Sequence, residues 1–293
     1  MIEDFVASWE LFHNAYLAAW LVAVLLSLPG VLVVARDEIF VGAALSQAST
    51  LGIATALWIA GWAASDGSWL RTDVFPGLLA VAFSIAAALS MAAARPAARE
   101  SHEAVAGWVF LLSASASVLL VSHSPHGIEE VHRLLFSTIV GATAGDVTVF
   151  AALTVLAVIL VAVLHRRLLL FSTDPVTARA LGLRTRAYAA GYAVALGVGV
   201  GWSLKVAGLL YVFGCLILPP LIARRLCREA RTMLIAAPSI ALAAAVAGSV
   251  LAHHHDFPPA QMIVALLGTL LGVVWAAQAG GPRLPRRGVG TRS

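Results

Sequence analysis

An all-α polytopic membrane fold with eight or nine crossings is predicted by three observations. Hydrophobic residues make up 60% of the 293-residue chain and charged residues only 12%, about half the charged share of an ordinary soluble domain. The apolar residues gather into runs of about twenty, the length a helix needs to cross the hydrocarbon core. The cations fall almost entirely in alternate connections between those runs, the bias that sets membrane orientation. A soluble fold of this size has too little interior for so much apolar side chain. A mean hydropathy of +0.91 likewise excludes a disordered, collagen-like or coiled-coil chain.

The opening MIEDFVASWE is acidic and lacks the positive region of a cleaved leader. The first apolar run, 15–35, is therefore expected to remain as a membrane helix ending at Arg36, Asp37 and Glu38. A second run, 41–64, closes at SDGS; a third, 74–94, meets ARPAARE; a fourth, 104–121, leads into SHSPHGIEEVHR. The piece LLFSTIVGATAGD, 134–146, is too short to cross alone. A fifth crossing, 147–164, is expected to stop at His165, Arg166 and Arg167. Residues 188–202 and 206–223 form two crossings if Ser203, Leu204 and Lys205 make a tight turn between them, and the glycine-rich first member is open to tilting or breaking. Runs 232–252 and 262–277 flank HHHDFPP and complete nine segments, or eight if the 188–223 pair is handled differently. Residues 1–277 make one membrane domain and 278–293 a basic, flexible tail.

Placing the N-terminus outside puts sixteen of the nineteen Lys and Arg residues on the inside, leaving only Arg71, Arg133 and Lys205 outside. That asymmetry requires nine crossings, and it explains the basic tail as a cytoplasmic anchor rather than a nucleic-acid contact. Histidines lean the other way. His13, His123, His126, His132, His253, His254 and His255 fall at or beyond the outer boundary, near Glu129, Glu130 and Asp256. Neutral imidazole binds borderline divalent metals and carboxylates attract cations. His253, His254, His255, Asp256, His123 and His126 are thus candidates for external metal handling; the same run also fits a solvated loop without a defined site.

Three small-residue pairs, Gly141-x-x-x-Gly145, Gly197-x-x-x-Gly201 and Gly268-x-x-x-Gly272, each share one helical face. They fit intrachain packing, a moving pathway or a dimer contact. Pro219 and Pro220 remove two backbone donors and predict a bend. Cys215 and Cys227, twelve residues apart, suggest neither a disulfide framework nor a metal pair. There is one lysine, no G-x-x-x-x-G-K-[ST] phosphate loop, no HExxH helix and no GxSxG elbow. Asp146 is the main acid close to an apolar run, whereas a proton-driven carrier would bury ionisable groups deeper. Energy for uphill transport would come from a partner. Segment 171–188, FSTDPVTARALGLRTRAY, is a candidate contact for it: Asp174 caps a short helix with Pro175 at its first position, and Gly182 lets the chain exit left-handed. A passive amphipathic loop fits the same residues.

The stretch DPVTARALGL (174–183), then LKVAGLLYVFGCLILPPLIARRL (204–226), then Asp256 and Pro258 in an external turn, resembles in order the integral-membrane permeases of zinc, manganese and iron ABC importers, the ABC-3 family. The second stretch is similar to the family's K-x-V-G-x-L-L…P-A-A-x-A region and the third to its D-x-P-x-G turn. The likeness covers about residues 15–277. It implies a permease homodimer in the bacterial inner membrane, seated on cytoplasmic ABC ATPase subunits that use the ATP. An extracytoplasmic metal-binding protein would deliver the cation, and the chain would hold no permanent cofactor. Asp174, Pro175, Ala178 and Gly182 would belong to the helix that couples to the ATPase. The chain departs from the family at Gly42–Ala48: Ala43 stands where aspartate is usual and Gln47 where histidine is usual. Pro220 and Leu221 replace two customary alanines, and the 256–260 turn lacks its glycine. A different metal, a cation carried without tight contacts, or another small substrate on the same scaffold would fit those changes. A stand-alone secondary metal carrier and a non-transporting structural or regulatory homologue are the competing readings.

Overall fold

The computed structural model describes residues 9–62, 74–94, 101–122 and 139–279. Helices occupy Trp9–Ala35 (α1), Phe40–Trp62 (α2), Val74–Ala93 (α3), His102–Ser122 (α4), Ala144–Thr173 (α5), Pro175–Ala180 (α6), Thr185–Ala207 (α7), Leu209–Leu226 (α8), Ala230–His254 (α9) and Pro259–Ala279 (α10). A 3-10 turn, Ile139–Gly141, precedes α5. Among the described residues nine helices are long and apolar enough to span a membrane, all but the six-residue α6. The fold is all-α and polytopic, as its composition requires.

Helix α1 is apolar on every side and is the most enclosed crossing, the pattern of a helix at the centre of a bundle. Helices α5, α7, α8 and α9 surround it. Their polar side chains reach its backbone: Tyr211 Oη donates to the Ala19 carbonyl at 2.8 Å, Thr154 Oγ1 to Leu21 at 3.3 Å, Tyr192 Oη to Pro29 at 3.2 Å and Ser172 Oγ to Leu32 at 3.3 Å. A carbonyl has two lone pairs, so each bond adds to the helical one without replacing it. Every donor thereby escapes the cost of an unpaired hydroxyl in an apolar interior.

Glycines set the closest approaches. A Cβ on Gly30 of α1 would lie 2.0 Å from the Leu216 carbonyl oxygen of α8. Pro220 lacks the N–H that would bind this oxygen in a regular helix, so the glycine Cα–H faces an acceptor with spare capacity. Helices α3 and α7 pack antiparallel: a Cβ on Gly197 would lie 2.7 Å from the Ile85 Cα, and one on Gly201 2.6 Å from the Val81 Cα. That pair is intrachain packing. A Cβ on Gly268, Gly272 or Gly141 would meet nothing within 4 Å, and one on Gly145 only the Thr143 hydroxyl.

Two expectations need correction. Residues 203–205 are not a turn: α7 runs through them to Ala207 and the break is at Gly208, with φ 77° and ψ 165°, a conformation essentially reserved for glycine. Helix α5 does not stop at His165. It continues through Arg166 and Arg167 to Thr173 because Leu169, Phe171 and Ser172 still have an interior to bury in; no helix breaker intervenes before Asp174 and Pro175. The 134–146 piece resolves, where described, into the 3-10 turn and a capping box, in which Thr143 Oγ1 accepts from the Asp146 amide and Asp146 accepts from the Thr143 amide.

Gly30→Ala and Gly201→Ala should each lower the thermal midpoint of the detergent-purified chain, at an overpacking cost of about 1–3 kcal/mol. Gly272→Ala should leave it equal or raised, since alanine is the better helix former by about 1 kcal/mol. Tryptophan-fluorescence melts of the three variants decide this.

Candidate functional site

One end of the bundle is crowded with arginines. There the short helix α6 hangs between α5 and α7, and its construction follows from its sequence. Asp174 Oδ1 accepts from the amides of Val176 and Thr177 at 3.2 and 2.9 Å, and Oδ2 from the Thr177 hydroxyl. Pro175 occupies the first turn, where its missing N–H costs nothing. At the far end Gly182 is left-handed, φ 78°, and Leu183 N–H returns to the Ala178 carbonyl at 3.0 Å, which closes a Schellman exit. Ala178 is fully buried and anchors the turn, whereas Val176 and Leu181 are each 69% exposed. An apolar pair held out on a rigid turn is suited to contact with another surface. Sequence reading found the caps but missed these two side chains, whose exposure depends on which face Ala178 turns inward.

Beside α6 lies an open cavity of about 1150 Å³ lined by Arg36, Glu38, His102, Phe171, Arg179 and Arg186 among others. Arg36 donates to Glu38 at 2.7 Å and lies over the Phe171 ring, its guanidinium carbon 4.9 Å from the centroid. Asp37 exits α1 left-handed, φ 54°, in another Schellman turn, with Glu38 N–H bonded to the Val33 carbonyl. Arg224 of α8 donates to Asp37 at 2.6 Å and to the Val34 carbonyl at 3.1 Å. The Arg224–Asp37 pair is largely exposed, so its ionic part adds little. Its geometry still ties the α1–α2 corner to the end of α8.

The opposite end carries His13, His253, His254 and His255. Tyr16 Oη lies 3.3 Å from His253 Nδ1, and the His253 ring meets Phe12 edge-on. The His254 and His255 rings meet edge-on, with centroids 4.9 Å apart. Asp256 is left-handed, φ 53°, and Phe257 N–H bonds the Ala252 carbonyl at 2.9 Å, so this acid ends α9 in the manner of Asp37. Among the described residues no three His, Cys, Asp or Glu side chains converge on a metal position. His123 and His126 lie outside the described residues.

Ala43 and Gln47 are one turn apart on α2, both half-buried, close to where Gly42 packs on Leu216 and Phe213 of α8. The neighbouring hydroxyls are turned onto α2 itself: Ser46 donates to the Gly42 carbonyl and Thr50 to that of Ser46. An amide and a methyl group on this face offer a cation at most one neutral oxygen.

The sequence pattern of the ABC 3 transport family matches residues 8–278. The manganese transport system membrane protein MntB of Synechocystis sp. is 29% identical over 206 residues, which cover 70% of this chain and 65% of that relative. A probable iron transport system membrane protein of Haemophilus influenzae is 24% identical over 88% of this chain and 90% of its own length. Among solved structures, PsaBC from Streptococcus pneumoniae in complex with Fab superimposes with a TM-score of 0.76 at 19% identity, covering 94% of this chain and 95% of that one. That likeness is one of fold.

The Asp174 carboxyl is held below its ordinary value of 3.8, first by the Thr177 hydroxyl and then by the Thr177 amide. A lowered folded value means the cap's contribution is complete above the ordinary value and fades as pH falls through the folded one. Carboxyl NMR titration in micelles should therefore give a midpoint under 3.8 for Asp174. Thr177→Val should move it upward, and neutral to mildly acidic pH should leave α6 unchanged.

Proposed function

Because the chain belongs to the ABC 3 transport family, we propose that this multi-pass inner-membrane permease is the translocating subunit of an ATP-driven importer for a divalent transition-metal cation: zinc, manganese or iron. The relatives named for manganese and iron transport support the cargo class. In this proposal two copies pair in the membrane, a separate cytoplasmic ABC ATPase hydrolyses ATP, and an extracytoplasmic metal-binding protein supplies the ion. The arginine-rich end is cytoplasmic by the positive-inside rule, with residues 278–293 a basic tail on the same side.

The capped helix α6 is the observation that carries this reading. Its two ends are fixed by Asp174 and Gly182, its inner face by Ala178, and Val176 and Leu181 project outward. A partner pressing on Val176 and Leu181 moves a rigid turn, because the caps leave it no slack. Ser172, just before α6, bonds to the Leu32 carbonyl, and Phe171 lies under Arg36. Displacement of α6 thus reaches the α1–α2 corner, and through Arg224 the end of α8. ATPase closure would be converted in this way into rearrangement of the crossings. His253, His254, His255 and Asp256, with His123 and His126, would gather the cation at the outer mouth before it passes α2.

A second reading is favoured by Ala43 and Gln47. With no charged ligand on that face of α2, the chain would be a non-transporting member that keeps the scaffold. Reconstitution with its ATPase and binding protein in proteoliposomes separates the two. ATP-dependent uptake of one or more metals is expected. No uptake with any metal, alongside intact complex assembly, would select the second reading; flux without ATPase would select a stand-alone carrier.

Asp174→Ala and Gly182→Val should leave the complex able to hydrolyse ATP while uptake falls. The valine variant forces a left-handed residue at a cost of about 1–2 kcal/mol. Joint Ala43→Asp and Gln47→His substitution should raise uptake and sharpen metal preference, as read by competition across a metal panel.

A further inference from the structure

A second cavity lies away from the α6 vestibule. It is a groove of about 360 Å³ between α1, α5 and α7, with walls of Leu25, Leu28 and Leu32 from α1, Leu160 and Leu164 from α5, and Tyr192 and its neighbours from α7. No charged residue lines it. On its α1 wall the Pro29 carbonyl accepts from Tyr192 Oη at 3.2 Å. On α5 the lining runs from Ala157 to Leu168, about 16 Å at 1.5 Å per residue. That is about the depth of one leaflet, half of a hydrocarbon core roughly 30 Å thick.

The groove's stripes continue into cations at the arginine-rich end. Arg167 follows Leu164 by three positions and Leu160 by seven, so it extends the α5 stripe; Arg184 precedes Tyr188 by four and extends that of α7. The two stripes meet at the mouth, where Arg167 Nη1 donates to Tyr188 Oη at 3.5 Å. The floor is left open: a Cβ on Gly191 would meet nothing within 4 Å.

We propose that this groove is a binding site for an anionic phospholipid of the arginine-side leaflet. One acyl chain lies between α1, α5 and α7, and the phosphate sits against Arg167 and Arg184. The apolar length fits a single chain of that leaflet, and the two arginines that extend its stripes complement a phosphodiester. A second copy of the protein is a poorer occupant. A two-fold contact centred here would set Arg167 and Arg184 against their own equivalents, with no acid in the groove to offset them. The assignment depends only on the chain spanning a membrane, and is independent of what it transports.

The test is native mass spectrometry of the full chain released from detergent. It is titrated with phosphatidylglycerol or with phosphatidylcholine of identical acyl chains. Phosphatidylglycerol adducts are expected to form at lower lipid concentration and survive higher collision energy. Arg167→Gln with Arg184→Gln should bring the two lipids level. Gly191→Leu, which fills the groove on an open helix face and favours the helix, should reduce the first adduct of both lipids without lowering the lipid-free thermal midpoint. Equal retention of the two lipids by the unaltered chain would overturn the proposal, as would adducts indifferent to Gly191→Leu. Oxidative cross-linking of Leu164→Cys between two copies would overturn it too, by showing the groove to be a protein interface.

Discussion

The bundle depends on the enclosure of one helix. Trp9–Ala35 has no polar face to give to water and no charged residue along its buried stretch, so the helices around it are held by shape and by what they can bond to. Beyond Tyr16 and Trp20 near its start, what they bond to is its backbone. Hydroxyls from Thr154, Ser172, Tyr192 and Tyr211 are placed on carbonyls along its length. In a hydrocarbon solvent apolar contact alone gives little reason for one helix to prefer another. These bonds and the glycine contact at Gly30 supply the register. The Arg224–Asp37 and Arg36–Glu38 pairs at one end then trim a geometry fixed from within.

Features that rest on a few adjacent residues were legible in the sequence. Asp174, Pro175 and Gly182 build their caps from neighbours within four positions, and each forms as its residue type dictates. The crossings were legible for a similar reason, since length and hydropathy are local. The Gly208 break was missed because Ser203 and Lys205 are the more polar residues there, while backbone geometry favours the residue without a Cβ. The length of α5 was missed because Arg166 and Arg167 resemble a membrane exit, although the helix simply leaves the lipid and keeps its inner face buried. The left-handed Asp37 and Asp256 were hidden as well: aspartate tolerates that conformation but does not announce it.

At the candidate sites the same division holds. The histidine cluster looked like a set of ligands by adjacency, but consecutive residues at a helix end point in different directions. His253 turns to Tyr16 and Phe12 while His254 and His255 meet each other. The large cavity beside α6 draws its walls from six separate parts of the chain, and no window of sequence contains it. The exposed Val176 and Leu181 became visible only once Ala178 was seen to face inward.

The enclosed helix also has a history within each molecule. It is made before every helix that surrounds it, and its bonding partners lie 133 to 237 residues downstream. During synthesis it must wait in the bilayer while four more crossings that will cover it are inserted. Near-uniform apolarity eases that wait, because lipid solvates most of its surface and its helical hydrogen bonds are closed except the one Pro29 cannot donate. A polar stripe that suited the finished bundle would have to be hidden by a chaperone in the interval. The sparseness of side-chain chemistry on this helix, where Tyr16 and Trp20 near its start are the exceptions that reach α9, is thus a condition of assembly, and it accounts for the hydroxyls that its other neighbours bring.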